Sequence, residues 1–186
     1  LALLTFSPIF IFVSIYLYFL DGFPIVIKQE RIGLHGQSFN MYKFRTMKLN
    51  SHEMRGDLQD QNEHDTEIFK MDDDPRILNG AKFIRNFSLD EFPQLINIVK
   101  GEMTFIGPRP ALHNQYDLIQ LRTNKGVHKL LPGVTGWAQV NGRDELSIQE
   151  KVDLDNYYKE NKSIFLNIKI GYFTILKVFK AESVTI

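Results

Sequence analysis

Two adjacent carboxylates, Asp90 and Glu91, lie in the stretch Ser88-Leu89-Asp90-Glu91-Phe92-Pro93. A carboxylate can serve as nucleophile, general base or ligand to a hard cation. There is also a plain structural reading. Acidic residues favour the first turn of a helix, and Ser88 with Glu91 has capping-box spacing. Pro93 separates the two possible registers. With Ser88 as N-cap, Pro93 would delete a helix hydrogen bond; with Asp90 as N-cap, Pro93 falls in the first turn, where its missing donor costs nothing. The spacing therefore predicts Asp90 at the entrance of a helix over 90–100 that stops at Gly101, with Glu91 just inside. Such an end attracts phosphate, and two carboxylates beside it suit magnesium bridging a pyrophosphate. Taken alone, ordinary capping explains the pair better.

The surroundings strengthen the chemical reading. Arg85, Arg109 and Arg143 lie near or in glycine- and proline-rich loops, where guanidinium forks can grip phosphate oxygens. Two such loops are Phe105-Ile106-Gly107-Pro108-Arg109-Pro110 and Pro132-Gly133-Val134-Thr135-Gly136-Trp137. Lys43 and Arg45 lie on a predicted hairpin. Each alone reads as a solvated surface charge; together, beside an apolar segment, they suggest phosphates handled at a bilayer surface.

Several elements must position these groups. Residues 1–20 contain no charged side chain. As a helix the run would be about 30 Å long, the thickness of a hydrocarbon core. No small-residue cleavage site follows, which argues against a signal peptide. Ser7-Pro8 interrupts the run, and a proline there predicts a bend. The residues leave open a re-entrant helix, entering and leaving by one face, and a spanning helix with a mild kink. Two β-rich runs, 24–29 and 39–45, flank the turn cluster Gly33-Leu34-His35-Gly36 and read as a hairpin. Residues 50–74 are polar and acidic and read as a surface loop. Helices are expected from Pro75 to near Arg85-Asn86, with Ile77, Ala81, Phe83 and Ile84 on one face, over 112–121, from the Ser147/Glu150 capping box to about Glu160, and over 164–180. The last is mostly apolar with lysines, which fits either an interfacial helix or a packed core helix.

The chain has 186 residues, enough for a sizeable core. Lys plus Arg and Asp plus Glu number 22 each, so no net charge points to nucleic acid. The absence of cysteine excludes disulfides and thiolate metal sites. The first residue is Leu1 rather than Met, which reads as a fragment or a truncated numbering.

The chain resembles the bacterial monotopic phosphoglycosyl transferases, the polyprenyl-phosphate sugar-phosphate transferases of glycan assembly. The resembling segments are Lys28-Gln29-Glu30-Arg31-Ile32-Gly33, Tyr42-Lys43-Phe44-Arg45-Thr46-Met47, Ser88 through Leu95, Gly107-Pro108-Arg109-Pro110 and Pro132 through Arg143, in the family's order over nearly the whole chain. The resemblance implies an α+β, mostly helical fold. It would comprise a re-entrant membrane helix over 1–20 with its break at Ser7-Pro8, then a catalytic domain over 21–186 with a hairpin, cytoplasmic helices and an interfacial C-terminal helix. It implies Asp90 as nucleophile, Glu91 as magnesium ligand and Arg85 near the phosphates. Pro108, Arg109 and Pro110 would lie near the nucleotide, Asp155 would be a further acidic position of the site, and Arg45 and Arg143 would contact substrate. The substrates would be a UDP-sugar and undecaprenyl phosphate, giving a lipid diphosphosugar and UMP in the first membrane step of capsule, exopolysaccharide or O-antigen assembly. The location would be the cytoplasmic face of the inner membrane, in contact with lipid, with a second copy of the chain and other glycan-assembly enzymes as further partners. The chain departs from the family in a longer, more acidic 50–74 segment and in lacking basic residues ahead of the apolar run.

Two rival readings differ in kind. A metal-dependent phosphohydrolase could use Asp72-Asp73-Asp74, although an acidic solvated loop explains these residues too. A non-catalytic membrane anchor would tolerate loss of both Asp90 and Glu91.

Overall fold

The structure, a computed structural model, describes residues 2–51, 54, 74–142 and 145–180, with side chains from residue 7 onward. The chain forms two compact units. One contains Leu1–Ile27, Lys43–Pro93 and Val178–Ile186; the other contains Lys28–Tyr42 and Gln94–Lys177.

In the first unit, helix α1 (Ala2–Asp21) is one continuous element with Pro8 inside it. The bend expected at Ser7-Pro8 would fall inside an element that continues on both sides of the proline. A proline removes a single i→i−4 bond, and the ladder resumes beyond it. Val13 and Leu17 are buried in a core with Phe44, Ile77, Leu78, Ala81 and Ile84. The opposite side exposes Phe12, Ile15, Phe19 and, just past the helix, Phe23. Their spacing makes one outward apolar stripe. Among the described residues, no helix is long and apolar enough to cross a membrane.

The helix expected from Pro75 is shorter than the apolar pattern suggests. Only α2 (Lys82–Asn86) is helical. Residues ahead of it give their backbone groups to a neighbouring segment instead. Ile77 bridges Met47, and Leu78 N–H donates to the Thr46 carbonyl at 3.0 Å. Gly80, at φ +93°, turns the chain, and the Tyr16 hydroxyl donates to its carbonyl. Ile77, Ala81 and Ile84 are buried as their pattern predicts, whereas Phe83 is exposed.

In the second unit, β1 (Val26–Ile32) and β2 (Ser38–Phe44) form the expected hairpin, whose first strand begins and second strand ends in the first unit's sequence. Gly33 N–H donates to the Gln37 carbonyl at 2.8 Å to close its turn. The sheet order is β2-β1-β4, where β4 (Ala111–Leu112) pairs antiparallel with β1. The helix expected over 112–121 therefore begins later. It is α4 (Tyr116–Asn124), because Leu112 lies opposite Arg31 in the sheet. The two glycine- and proline-rich loops are joined by a pair of short parallel strands the sequence did not suggest, β3 (Thr104–Ile106) and β5 (Gly133–Thr135). Short α3 (Gln94–Val99) is tied to the hairpin through buried Asn97. Its amide donates to the Asn40 carbonyl and accepts from Tyr42 N–H. After α5 (Trp137–Val140), α6 (Ile148–Asn161) starts with the full Ser147–Glu150 capping box. Helix α7 (Ile164–Phe179) buries Leu166 and Ile170 and exposes Phe165, Ile168, Tyr172, Ile175 and Phe179. It thus serves as a core helix on one face and presents an apolar stripe on the other.

Candidate active site

The carboxylate pair is presented by a turn, not by the end of a long helix. Helix α2 ends at Asn86, and Ser88 takes a left-handed conformation (φ 53°, ψ 24°) that non-glycine residues rarely adopt. A 3₁₀ turn over Leu89–Glu91 follows, and Pro93 separates it from α3. Asp90 is therefore not the N-cap of a 90–100 helix, and Ser88 makes no side-chain cap either. With only one short turn behind it, a helix dipole is not what draws an anion to this pair. The strain held at Ser88 is of order 1 kcal/mol, and it turns both carboxylates inward. Asp90 and Glu91 are each 8 % exposed.

Their charge is met by Lys43 on β2. Its Nζ donates to Glu91 Oε1 at 3.0 Å and lies 3.6 Å from Asp90 Oδ2. The two carboxylates and the ammonium together make an oxygen-lined spot. Such a spot fits a hard cation that takes one or two protein carboxylates and completes its shell with phosphate oxygens and water, as magnesium does. Among the described residues, no group of three or more His, Cys, Asp or Glu is placed to hold an ion.

Arg85, five residues before Asp90, donates from NH1 to Thr46 Oγ1 at 3.3 Å. Its Nε is buried without a hydrogen-bond partner among the described residues, an unfilled donor that an anion could satisfy. Asp74 is nearby in charge. Burial pushes its carboxyl up, but the hydrogen bonds and charge of Arg76, with the charge of Arg85, outweigh this and hold it below the ordinary aspartate range. Asp74 is thus occupied by the Arg76 fork; Asp72 and Asp73 lie outside the described residues, as does Arg143.

Arg45 has a different task from the substrate contact expected of it. It is 3 % exposed, and its guanidinium is spent inside the first unit. It donates to the carbonyls of Pro24, Asp21 and Gly22 and to the Asp21 carboxylate. Arg45 therefore fastens the end of α1 to the base of the hairpin.

The second unit holds Pro108, Arg109 and Pro110 in the loop between β3 and β4. The prolines are buried and Arg109 is partly exposed. A cleft beside the loop is lined by Arg109, Arg122, His128 and Pro132 among others. Backbones pack directly here. A Cβ on Gly133 would meet Gly107 N at 2.1 Å, and one on Gly107 would meet the Leu131 carbonyl at 2.4 Å. Asp155 does not line the cleft. It is 1 % exposed, and Oδ2 accepts from Arg122 Nε at 3.0 Å and NH2 at 2.6 Å. Burial pushes its carboxyl above the ordinary aspartate range, and Arg122 pulls only part of the way back. Arg122 was not singled out from the sequence. Thirty-three residues separate it from Asp155, so no local spacing marks the pair.

The family described as bacterial sugar transferase matches residues 1–181. The sugar transferase EpsL of Bacillus subtilis is 40 % identical over 165 residues, covering 88 % of this chain and 74 % of EpsL. The exopolysaccharide production protein ExoY of Rhizobium meliloti is 37 % identical over 180 residues, covering 94 % and 78 %. The UDP-glucose:undecaprenyl-phosphate glucose-1-phosphate transferase of Escherichia coli is 34 % identical over 186 residues, covering 96 % of this chain but 38 % of that protein. The chain belongs to the bacterial sugar transferase family and is, as a member of it, a transferase.

Proposed function

We propose that the chain transfers a sugar 1-phosphate from a UDP-sugar to undecaprenyl phosphate, at the cytoplasmic face of the inner membrane, in the first lipid-linked step of capsule, exopolysaccharide or O-antigen assembly. The observation that carries this reading is the nearly buried Asp90–Glu91 pair bridged by Lys43 on a turn strained at Ser88. An Asp90 oxygen attacks the phosphorus that bears the sugar, and the bond from that phosphorus to the bridging oxygen breaks, releasing UMP. The sugar phosphate is then held on Asp90 as an acyl phosphate. A phosphate oxygen of the lipid attacks the same phosphorus, the acyl phosphate bond breaks, and the Asp90 carboxylate is restored. Splitting the displacement in two lets each nucleophile meet the phosphorus separately.

Lys43 holds the carboxylates in place and offsets charge that would repel an incoming pyrophosphate. Glu91 would hold magnesium, which when bound supplies charge neutralisation on the phosphate oxygens. Arg85 offers the unfilled Nε to the phosphates, and the Pro108-Arg109-Pro110 loop meets the nucleotide. The outward stripe of Phe12, Ile15, Phe19 and Phe23 supports a place for α1 in the bilayer, entering and leaving by the cytoplasmic side, with the exposed face of α7 at the interface.

The test is to incubate the protein in membranes with a panel of radiolabelled nucleotide sugars, polyprenol phosphate and magnesium. Label entering the lipid fraction together with nucleoside monophosphate is the expected result. Release of free phosphate without need of a lipid acceptor would make it a phosphohydrolase instead. Unaltered output when Asp90 and Glu91 are both replaced would leave only the anchor reading.

A further inference from the structure

Pro108, Arg109 and Pro110 sit in a loop with few backbone donors of its own, since neither proline has an N–H. Yet all three successive carbonyls are held. The Pro108 carbonyl accepts from Gly133 N–H at 2.9 Å. The Arg109 carbonyl accepts from Arg122 NH1 at 2.7 Å. The Pro110 carbonyl accepts from Arg31 NH1 at 3.3 Å. Arg122 is itself fixed from behind, because its Nε and NH2 both donate to the buried Asp155 carboxylate. One guanidinium thus spans a buried anion on α6 and the carbonyl of a residue that lines the cleft.

We propose that Arg122, anchored by Asp155, is a positioning residue for the donor site: it sets the Pro108-Arg109-Pro110 loop so that the Arg109 side chain meets the nucleotide diphosphate. The planar fork is what the task requires, since a lysine ammonium is a point charge that cannot present the same parallel donors to Asp155 while holding the carbonyl. Asp155 acts one step further back, by fixing the fork, and touches no substrate. This inference rests on the proposed donor-binding role of the loop. It assigns to Arg122, and through it to Asp155, the task of ordering that loop.

The experiment uses the full chain in membranes or detergent and compares wild type with Arg122→Lys, Arg109→Ala, the double variant and Asp155→Asn. Binding of UMP and UDP is measured directly by calorimetry, beside steady-state rates with nucleotide sugar and polyprenol phosphate each varied. Arg122→Lys is expected to weaken nucleotide binding about 10-fold or more and to raise the KM for nucleotide sugar with it. The KM for polyprenol phosphate stays within about twofold. A small displacement of a binding group is enough to cost up to on the order of 100-fold in kcat/KM. Because Arg122 acts through Arg109, the double variant should bind nucleotide no worse than Arg109→Ala alone. Asp155→Asn should move in the same direction as Arg122→Lys, by less, and it covers the case in which Arg122→Lys does not fold. Additive losses in the double variant, or unchanged nucleotide affinity in both Arg122→Lys and Asp155→Asn, would overturn the proposal. If wild type binds UMP but transfers nothing to the lipid, the transfer reading fails while this inference is still decided by the binding arm.

Discussion

Replacing Lys43 with Met keeps the length of the side chain but removes the only charge facing both Asp90 and Glu91 in the described ion pairs. At 3.0 Å and an effective dielectric near 20, the gross attraction to Glu91 is about 5.5 kcal/mol, with a weaker share from Asp90 at 3.6 Å. Desolvating the three groups takes back much of that. Breaking a fully buried pair costs about 3–5 kcal/mol. Here the side chains keep 14 %, 9 % and 11 % of their surface in water, so the net loss should fall below that range, at about 2–3 kcal/mol. For a chain of this size the loss corresponds to a Tm lower by about 4–12 °C. Thermal unfolding in detergent reads it directly. Glu91→Gln in the Lys43→Met background should recover part of the loss, because one of two adjacent carboxylate charges disappears, giving a coupling of about 1 kcal/mol or more. Transfer activity of Lys43→Met should fall on the order of 100-fold, as for loss of one electrostatic stabiliser. A Tm within a degree of wild type, or additive effects of the two substitutions, would show that Lys43 does not hold the carboxylate pair.

The other consequences are smaller or more local. Arg45→Met leaves the carbonyls of Asp21, Gly22 and Pro24 without their donor and should cost about 3 kcal/mol in chemical denaturation, with Arg45→Lys recovering part; a loss under about 1 kcal/mol would deny it the fastening role. Ser147→Ala removes the α6 cap, whose Oγ accepts from Glu150 N–H, and should cost about 1 kcal/mol by urea unfolding. The Asp74 carboxyl is held below its ordinary value of 3.8, so its ion pair stabilises the fold fully above that value, and the contribution is lost as pH falls below it. Unfolding measured from pH 6 down to pH 2 should therefore show a shallower acid limb for Asp74→Asn than for wild type.

Local signals carried much of this fold. The Gly33–Gly36 turn cluster between β-rich runs gave the hairpin, and Ser147 with Glu150 gave the start of α6. Both depend on neighbours in sequence. The misreadings arose where distant backbone groups competed. The periodic apolar positions of 77–84 are buried as a helix would bury them, but pairing with Met47 and Thr46 won over helix continuation. Pro93 correctly signalled that Ser88 is not a side-chain cap, yet the chain answered with a strained Ser88 and a 3₁₀ turn, not a longer helix. At the site, the carboxylate pair and the proline-flanked arginine were legible as motifs. Their partners were not. Lys43 is 48 residues from Glu91, and Arg122 is 13 from Arg109, so only folding brings them together.

The proposed attachment of the sugar phosphate to Asp90 is covalent, so it can be trapped and weighed. The most direct test gives the wild-type protein UDP-sugar and magnesium without lipid acceptor, then measures UMP and the intact protein mass. About one UMP per active enzyme followed by a halt is expected, with the mass of one sugar phosphate gained on the peptide containing Asp90 and neither signal in Asp90→Asn. UMP that appears only once polyprenol phosphate is added, with no adduct trapped, would contradict it and place the transfer in a single step within a ternary complex.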